Sequence, residues 1–283
     1  MKKGFRRNSL KYSVNEGFFN KWTSQMAYIL GFTFADGNIY KTSLAWDVQK
    51  RDIDILKKIN SALDSTYPIE ERKNSYRLRI SNQILIKGAL SKRLLPRKSL
   101  RLTFPEVPKK LLRHFIRGYL DGDGWIVQRF GRNEVDLGFV CGNRTFLRSL
   151  EDQINNILGI SSRIRIKNKI TNNGIKSTTY LLEYYSSNAI LVADWLYEDI
   201  KENCIYLERK YQKFLEAKKI YNLIWSRFKS KGVIQRKFGR SLKNILFELS
   251  NQKLNGMQIA RYLGTSKSSV YRWLESTRIK YSD

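Results

Sequence analysis

The sequence predicts an α+β protein made of two similar halves and closed by a small all-α unit. Three observations predict it. Two segments, YILGFTFADG ending at Gly37 and FIRGYLDGDG ending at Gly124, place an Asp-Gly pair at the end of the same small-and-apolar helical pattern. The runs after each segment repeat in one order, strand-like alternation giving way to helical periodicity and back. From Tyr221 the composition changes, residues 222 to 283 holding 13 basic and 3 acidic side chains and short helical patterns only.

In the first segment Ala27, Gly31 and Ala35 recur every fourth residue, and in the second Gly118 and Gly122 do the same. Each helix thus has a stripe without bulk, which lets two backbones approach closely, with Gly31 and Gly118 at the interface. An Asp in the last helical turn opposes the negative end of the macrodipole and costs up to about 1 kcal/mol. Something must favour Asp36 and Asp123 there. If the helices pack side by side their carboxylates converge, and like charges at close range call for a cation between them. Asp-Gly is also a common turn. One copy would fit that equally well, whereas two copies with matching spacing and downstream pattern favour paired helices.

After Gly37, NIYKTSLAWDV is strand-like, RDIDILKKINSAL is an amphipathic helix, YRLRIS alternates and NQILIKGALSKRL is a second helix. After Gly124 the order returns as WIVQRF, EVDLGFVCG, RTFLRSLEDQINNILG, SRIRIK, YLLEYYSS and NAILVADWLYEDI. Each half is therefore helix, hairpin, helix, hairpin, helix, with halves at 20–110 and 111–220. In YRLRIS, Arg77, Arg79 and Ser81 share one face, and in SRIRIK, Arg163, Arg165 and Lys167 do. A single basic ladder could be a solvated surface. Two copies favour a basic sheet face that enters a DNA major groove.

Residues 221–240 are expected to be a basic linker lying along phosphates through Lys229, Lys231, Arg236, Lys237 and Arg240. Within 241–283, helices are expected at Leu242–Leu249, Met257–Leu263 and Lys267–Leu274. GMQIARYLGTSKSSVYRWL resembles a helix-turn-helix with Ile259, Ala260, Leu263, Val270 and Trp273 as core and Gly264 at the turn. Such hairpins also serve as plain packing elements. Lys267, Ser268, Ser269, Tyr271 and Arg272, expected to face away from that core, tip the balance to DNA binding.

The net charge of +28 on 283 residues makes nucleic acid the leading partner class. No apolar run approaches the roughly 18 residues that span a bilayer, and no signal-peptide pattern opens the chain. Cys141 and Cys204 form neither a zinc spacing nor a disulfide framework, which points to a cytoplasmic or organellar-matrix location, or a phage-infected cell, and not to secretion. His114, the one histidine, excludes His-rich metal sites and argues against nucleases built on a histidine pair.

Ile29 to Gly37 (ILGFTFADG) and Ile116 to Gly124 (IRGYLDGDG) resemble the paired motifs of LAGLIDADG homing endonucleases, over about residues 20–218. Phe34 departs from the motif, standing where the family often has its first Asp. The resemblance implies αββαββα halves whose antiparallel sheets form a DNA-binding saddle, the one chain imitating a homodimer. It implies Asp36 and Asp123 as catalytic metal ligands, joined by the carbonyls of Ala35 and Gly122, which helix ends leave unpaired. The implied cofactor is Mg²⁺, as two or three divalent ions, with Mn²⁺ or Ca²⁺ substituting for binding. The family also places a basic residue near each scissile phosphate, and Lys98 in LPRKSL and Lys210 in YLERKY take those places. Asp47 in LAWDV holds the water-orienting place on the second strand, where the other half offers Val140.

The expected activity is a site-specific double-strand DNA cut with 3′ overhangs, by a monomer on a long asymmetric target. A non-catalytic transcriptional regulator on a LAGLIDADG-like scaffold is the rival reading, and retention of Asp36 and Asp123 weighs against it. An RNA-splicing maturase, with intron RNA as partner, is a third. An intein is disfavoured, since Met-Lys-Lys and Tyr-Ser-Asp at the ends offer neither the nucleophile nor the Asn of splicing junctions.

Overall fold

Thr23 starts the first helix, its hydroxyl accepting the Met26 amide at 3.1 Å. Helix α1 (Ser24–Asp36) is buried at every position from Met26 to Phe34, as a helix apolar on all sides must be. The structure, a computed structural model, describes residues 11–40, 42–96, 102–129, 134–170, 176–198, 200, 204–225 and 231–279. After α1 come β1 (Gly37–Tyr40), β2 (Ser43–Gln49), α2 (Ile53–Ala62), β3 (Ile69–Glu71), β4 (Ser75–Ile80) and α3 (Gln83–Ser91). The second half repeats the order with α4 (Leu112–Asp123), β5 (Gly124–Arg129), β6 (Glu134–Cys141), α5 (Arg144–Leu158), β7 (Arg163–Ile170), β8 (Lys176–Tyr185) and α6 (Ser186–Tyr197). The expected α+β class and both repeats are present.

Each half holds one four-stranded antiparallel sheet, ordered β1-β2-β4-β3 and β5-β6-β8-β7. One apolar face of each sheet, with Leu44, Trp46 and Leu78 in the first and Leu137, Phe139 and Leu182 in the second, joins α1 and α4 in a single core. Trp46 donates its indole N–H to Thr33 Oγ1 at 3.0 Å, and Thr33 donates in turn to the Ile29 carbonyl at 2.5 Å. That chain fixes the first sheet against α1.

The paired registers correct one expectation. Trp46 faces Leu78 and Phe139 faces Leu182, so β4 corresponds to β8 and β3 to β7. YRLRIS is therefore a central strand while SRIRIK is an edge strand, and the two basic ladders are not copies of each other. Arg77 corresponds to Leu181 and Arg79 to Glu183. The basic ladders are therefore not a repeated feature of the two halves.

Helix α7 (Glu208–Trp225) crosses the expected boundary at residue 220, and α8 (Lys231–Phe238) occupies most of the described part of the expected linker. Ile234 of α8 is fully buried with α9 (Leu242–Asn251), α10 (Gly256–Leu263) and α11 (Lys267–Thr277) in a second core. Phe238 of the same helix packs against that core as well, so two apolar side chains in a basic run dock it. Leu274 takes the buried place expected of Trp273, which packs at the edge of that core. Gly264 ends α10 at φ 66°, a left-handed conformation that Cβ atoms disfavour.

Candidate functional site

Helices α1 and α4 touch backbone to backbone. A Cβ on Gly31 would lie 1.9 Å from the Phe115 carbonyl oxygen, and one on Gly118 would lie 2.0 Å from that of Tyr28. At the C-terminal end a Cβ on Gly122 would meet the Ala35 Cβ at 2.3 Å. The expected glycine stripe is thus the interface, and it brings Asp36 and Asp123 to one end of the helix pair. Both carboxylates act electrostatically on Lys210 and on Tyr119.

Two pockets open at that end. The first is lined by Asp36, Asp47, Asp52, Gly122 and Arg209 among others. The second is lined by Asp123, Ala35, Tyr119, Val140 and Cys141 with apolar neighbours. Each pocket joins the carboxylate of one helix to the helix-end residue of the other. Among the described residues no set of three or more His, Cys, Asp or Glu side chains is grouped to hold a metal. An ion in either pocket would therefore take backbone carbonyl and water ligands beside its carboxylate, which suits a hard cation such as Mg²⁺.

Lys210, which the resemblance places near a scissile phosphate, turns into the protein instead. It is 4 % exposed, and its ammonium donates to the carbonyls of Leu120, Asp121 and Gly124 at 2.6, 2.8 and 2.7 Å. Three donors meet three acceptors, so the side chain is spent on capping the end of α4. Burial lowers its pKa to about 8, opposed by the charge of Asp121. Lys98 lies outside the described residues.

The neighbouring Arg209 lies in the Asp36 pocket instead, its Nε donating to both oxygens of the buried Asp52 at 2.7 and 3.0 Å. Asp47 lies there too, but its carboxylate accepts from Arg77 Nε at 2.7 and 2.9 Å. Its equivalent, Val140, lines the other pocket, as the sequence had suggested.

The sequence reading missed Asp121. This carboxylate is fully buried, accepting from the Tyr28 hydroxyl at 2.6 Å and the Leu207 amide at 2.8 Å, and burial raises its pKa. It ties the start of α7 to the paired helices. A signal was available, because Arg117 and Asp121 lie four residues apart within an apolar motif, and both are buried.

Of the expected nucleic-acid contacts, Arg79, Ser81, Arg163 and Lys167 are exposed. Arg77 is held by Asp47, and Arg165 by Glu183 through two bonds of 2.8 Å. Lys231, Arg236 and Lys237 are exposed on or beside α8, Arg240 pairs with Glu248, and Lys229 lies outside the described residues. Lys267, Ser268 and Arg272 are exposed on α11, and Ser269 closes the cap with Ser266. Tyr271 does not point away from the core as expected. Its ring packs where a Cβ on Gly256 would lie, 2.6 Å from the nearest ring carbon.

Residues 110–194 match the LAGLIDADG-like domain model. That span runs from just before α4 into α6. No curated protein matches the chain. Among solved structures, the chain is similar to the LAGLIDADG meganuclease I-AabMI bound to uncleaved DNA, at 13% identity and a TM-score of 0.48, over 72% of this chain and 92% of that one. It is similar also to the LAGLIDADG homing endonuclease I-GzeII in complex with its DNA target, at 13% identity, TM-score 0.47, over 75% and 94%. Full-length DUF199/WhiA from Thermatoga maritima matches at 14% identity and TM-score 0.43, over 93% and 94%.

Proposed function

We propose that this protein is a site-specific, metal-dependent DNA endonuclease of the homing type that cuts both strands and leaves 3′ overhangs. The crossed pockets carry this reading, since each unites one motif carboxylate with the helix-end residue of the opposing motif. Asp36 with Gly122, and Asp123 with Ala35, would hold divalent ions, and such an ion supplies an activated water and charge neutralisation at a phosphodiester. The +28 charge and the exposed Arg79, Arg163 and Lys167 would draw the duplex onto the sheets. Each carboxylate would serve one strand.

A DNA-binding regulator that does not cut is the second reading. One observation favours it, namely that Lys210 and Asp47, two of the residues expected to support cleavage, are both engaged by the protein itself. Incubation with Mg²⁺ and a randomised duplex library, followed by sequencing of broken ends, separates the two. Asp36→Asn or Asp123→Asn should abolish double-strand cutting while target binding stays within about tenfold. Full cutting by Asp123→Asn would sink the assignment.

The α9–α11 unit is proposed to act as a helix-turn-helix that extends the bound stretch through Lys267 and Arg272, working by tethering and phosphate contacts rather than chemistry. A chain ending at Trp225 should still cut when concentrated but protect a shorter footprint. Equal footprints would make the unit a packing element.

A further inference from the structure

The outward faces of the two sheets differ in chemistry at matched positions. On the first, Asn38 and Tyr40 of β1 share the outward face with the Asp47–Arg77 pair and the exposed Arg79. At the corresponding places the second sheet carries Trp125 and Val127, then Val140 beside Leu181, and Glu183. Trp125 lies flat over Gly138, whose Cβ, if present, would stand 2.2 Å from the ring. Val127 and Tyr185 flank Asp136 in one cross-strand row and are 44% and 47% exposed. The acids of this face are withdrawn, Asp136 and Glu183 being 5% and 8% exposed, with Glu183 taken up by Arg165. Tyr185 is tied to Glu183 through its hydroxyl, and what remains apolar outward is a small patch around Val127 and Trp125, with Arg163, Arg165 and Lys167 exposed along β7.

We infer that the second sheet reads its half of a DNA target by apolar contact with a thymine methyl group, through Val127. The inference rests on the reading of the protein as DNA-binding. Its occupant follows from chemistry: basic side chains at the edge hold phosphates, and in the major groove the C5-methyl of thymine is the apolar feature a side chain can meet. The first sheet, with Asn38, Arg79 and the phenol of Tyr40 outward, is suited to hydrogen-bond readout instead.

The test uses the full chain and a duplex enriched from a randomised library by binding in Ca²⁺, with no cleavage step. Thymines are then replaced by uracil, which removes only the methyl, in one half of the duplex and next in the other. Affinity should fall about fourfold per contacted methyl in one half and stay unchanged in the other. Val127→Ser, checked for an unaltered melting temperature, should bind thymine and uracil versions of that half with nearly equal affinity. Equal responses of the two halves, or a uracil penalty that persists in Val127→Ser, would overturn the inference. Enrichment of no duplex at all would overturn the DNA reading with it.

Discussion

The two halves agree where α1 meets α4 and disagree where the sheets face outward. At the helix pair, a Cβ on Gly31 or Gly118 would lie only 1.9 or 2.0 Å from an opposing carbonyl oxygen, and the register into each first hairpin strand is the same. One row further out, a charged Asp47–Arg77 pair in the first half is matched by Val140–Leu181 in the second. Close packing tolerates almost no side-chain variation. A sheet face only has to remain soluble and fit its partner, so it can diverge, and the pockets inherit that divergence through Asp47 and Val140.

The comparison is broken most severely at the helices. Gly118→Leu and Gly31→Leu should each prevent folding or lower stability by several kcal/mol, beyond the usual 1–3 kcal/mol of overpacking, because the atom met is backbone. Thermal melts of both variants check this. A Gly118→Leu chain with an unchanged melting temperature would refute the paired-helix account.

Lys210 offers a sharper distinction, since it braces α4. Lys210→Met leaves its carbonyl acceptors without a donor and should cost about 2–4 kcal/mol, measurable by denaturant unfolding. The pH dependence has a definite sign. The folded protein releases this proton near pH 8, while the unfolded chain holds it to the ordinary lysine value of 10.5. The unfolded state binds more protons between those values, so this group makes stability rise with pH through that window. The Lys210→Met protein should lack that rise.

The smallest effect belongs to the outward row. Asp47 and Arg77 side chains are 39% and 25% exposed, so their pairing should contribute at most about 1 kcal/mol. In a double-mutant cycle, Asp47→Val with Arg77→Leu, which copies the character of the second half, should cost less than the two single changes added together. Strict additivity would mean that the pair has no energetic coupling.

The repeat, the order of elements through α6, the glycine contacts and the helix-end positions of Asp36 and Asp123 are legible in the sequence. All of these follow from periodicity and spacing within a segment, which local backbone geometry converts directly into structure. The packed fold sets strand order, which makes YRLRIS central and SRIRIK an edge. It alone decided that Lys210 turns inward to α4 while Arg209 turns to Asp52, that Asp121 is buried, and that Ile234 draws α8 into the second core. These outcomes depend on partners far away in the chain. Whether a charged side chain faces water or a buried carbonyl is set by the element that packs over it, and no window of neighbouring residues contains that information.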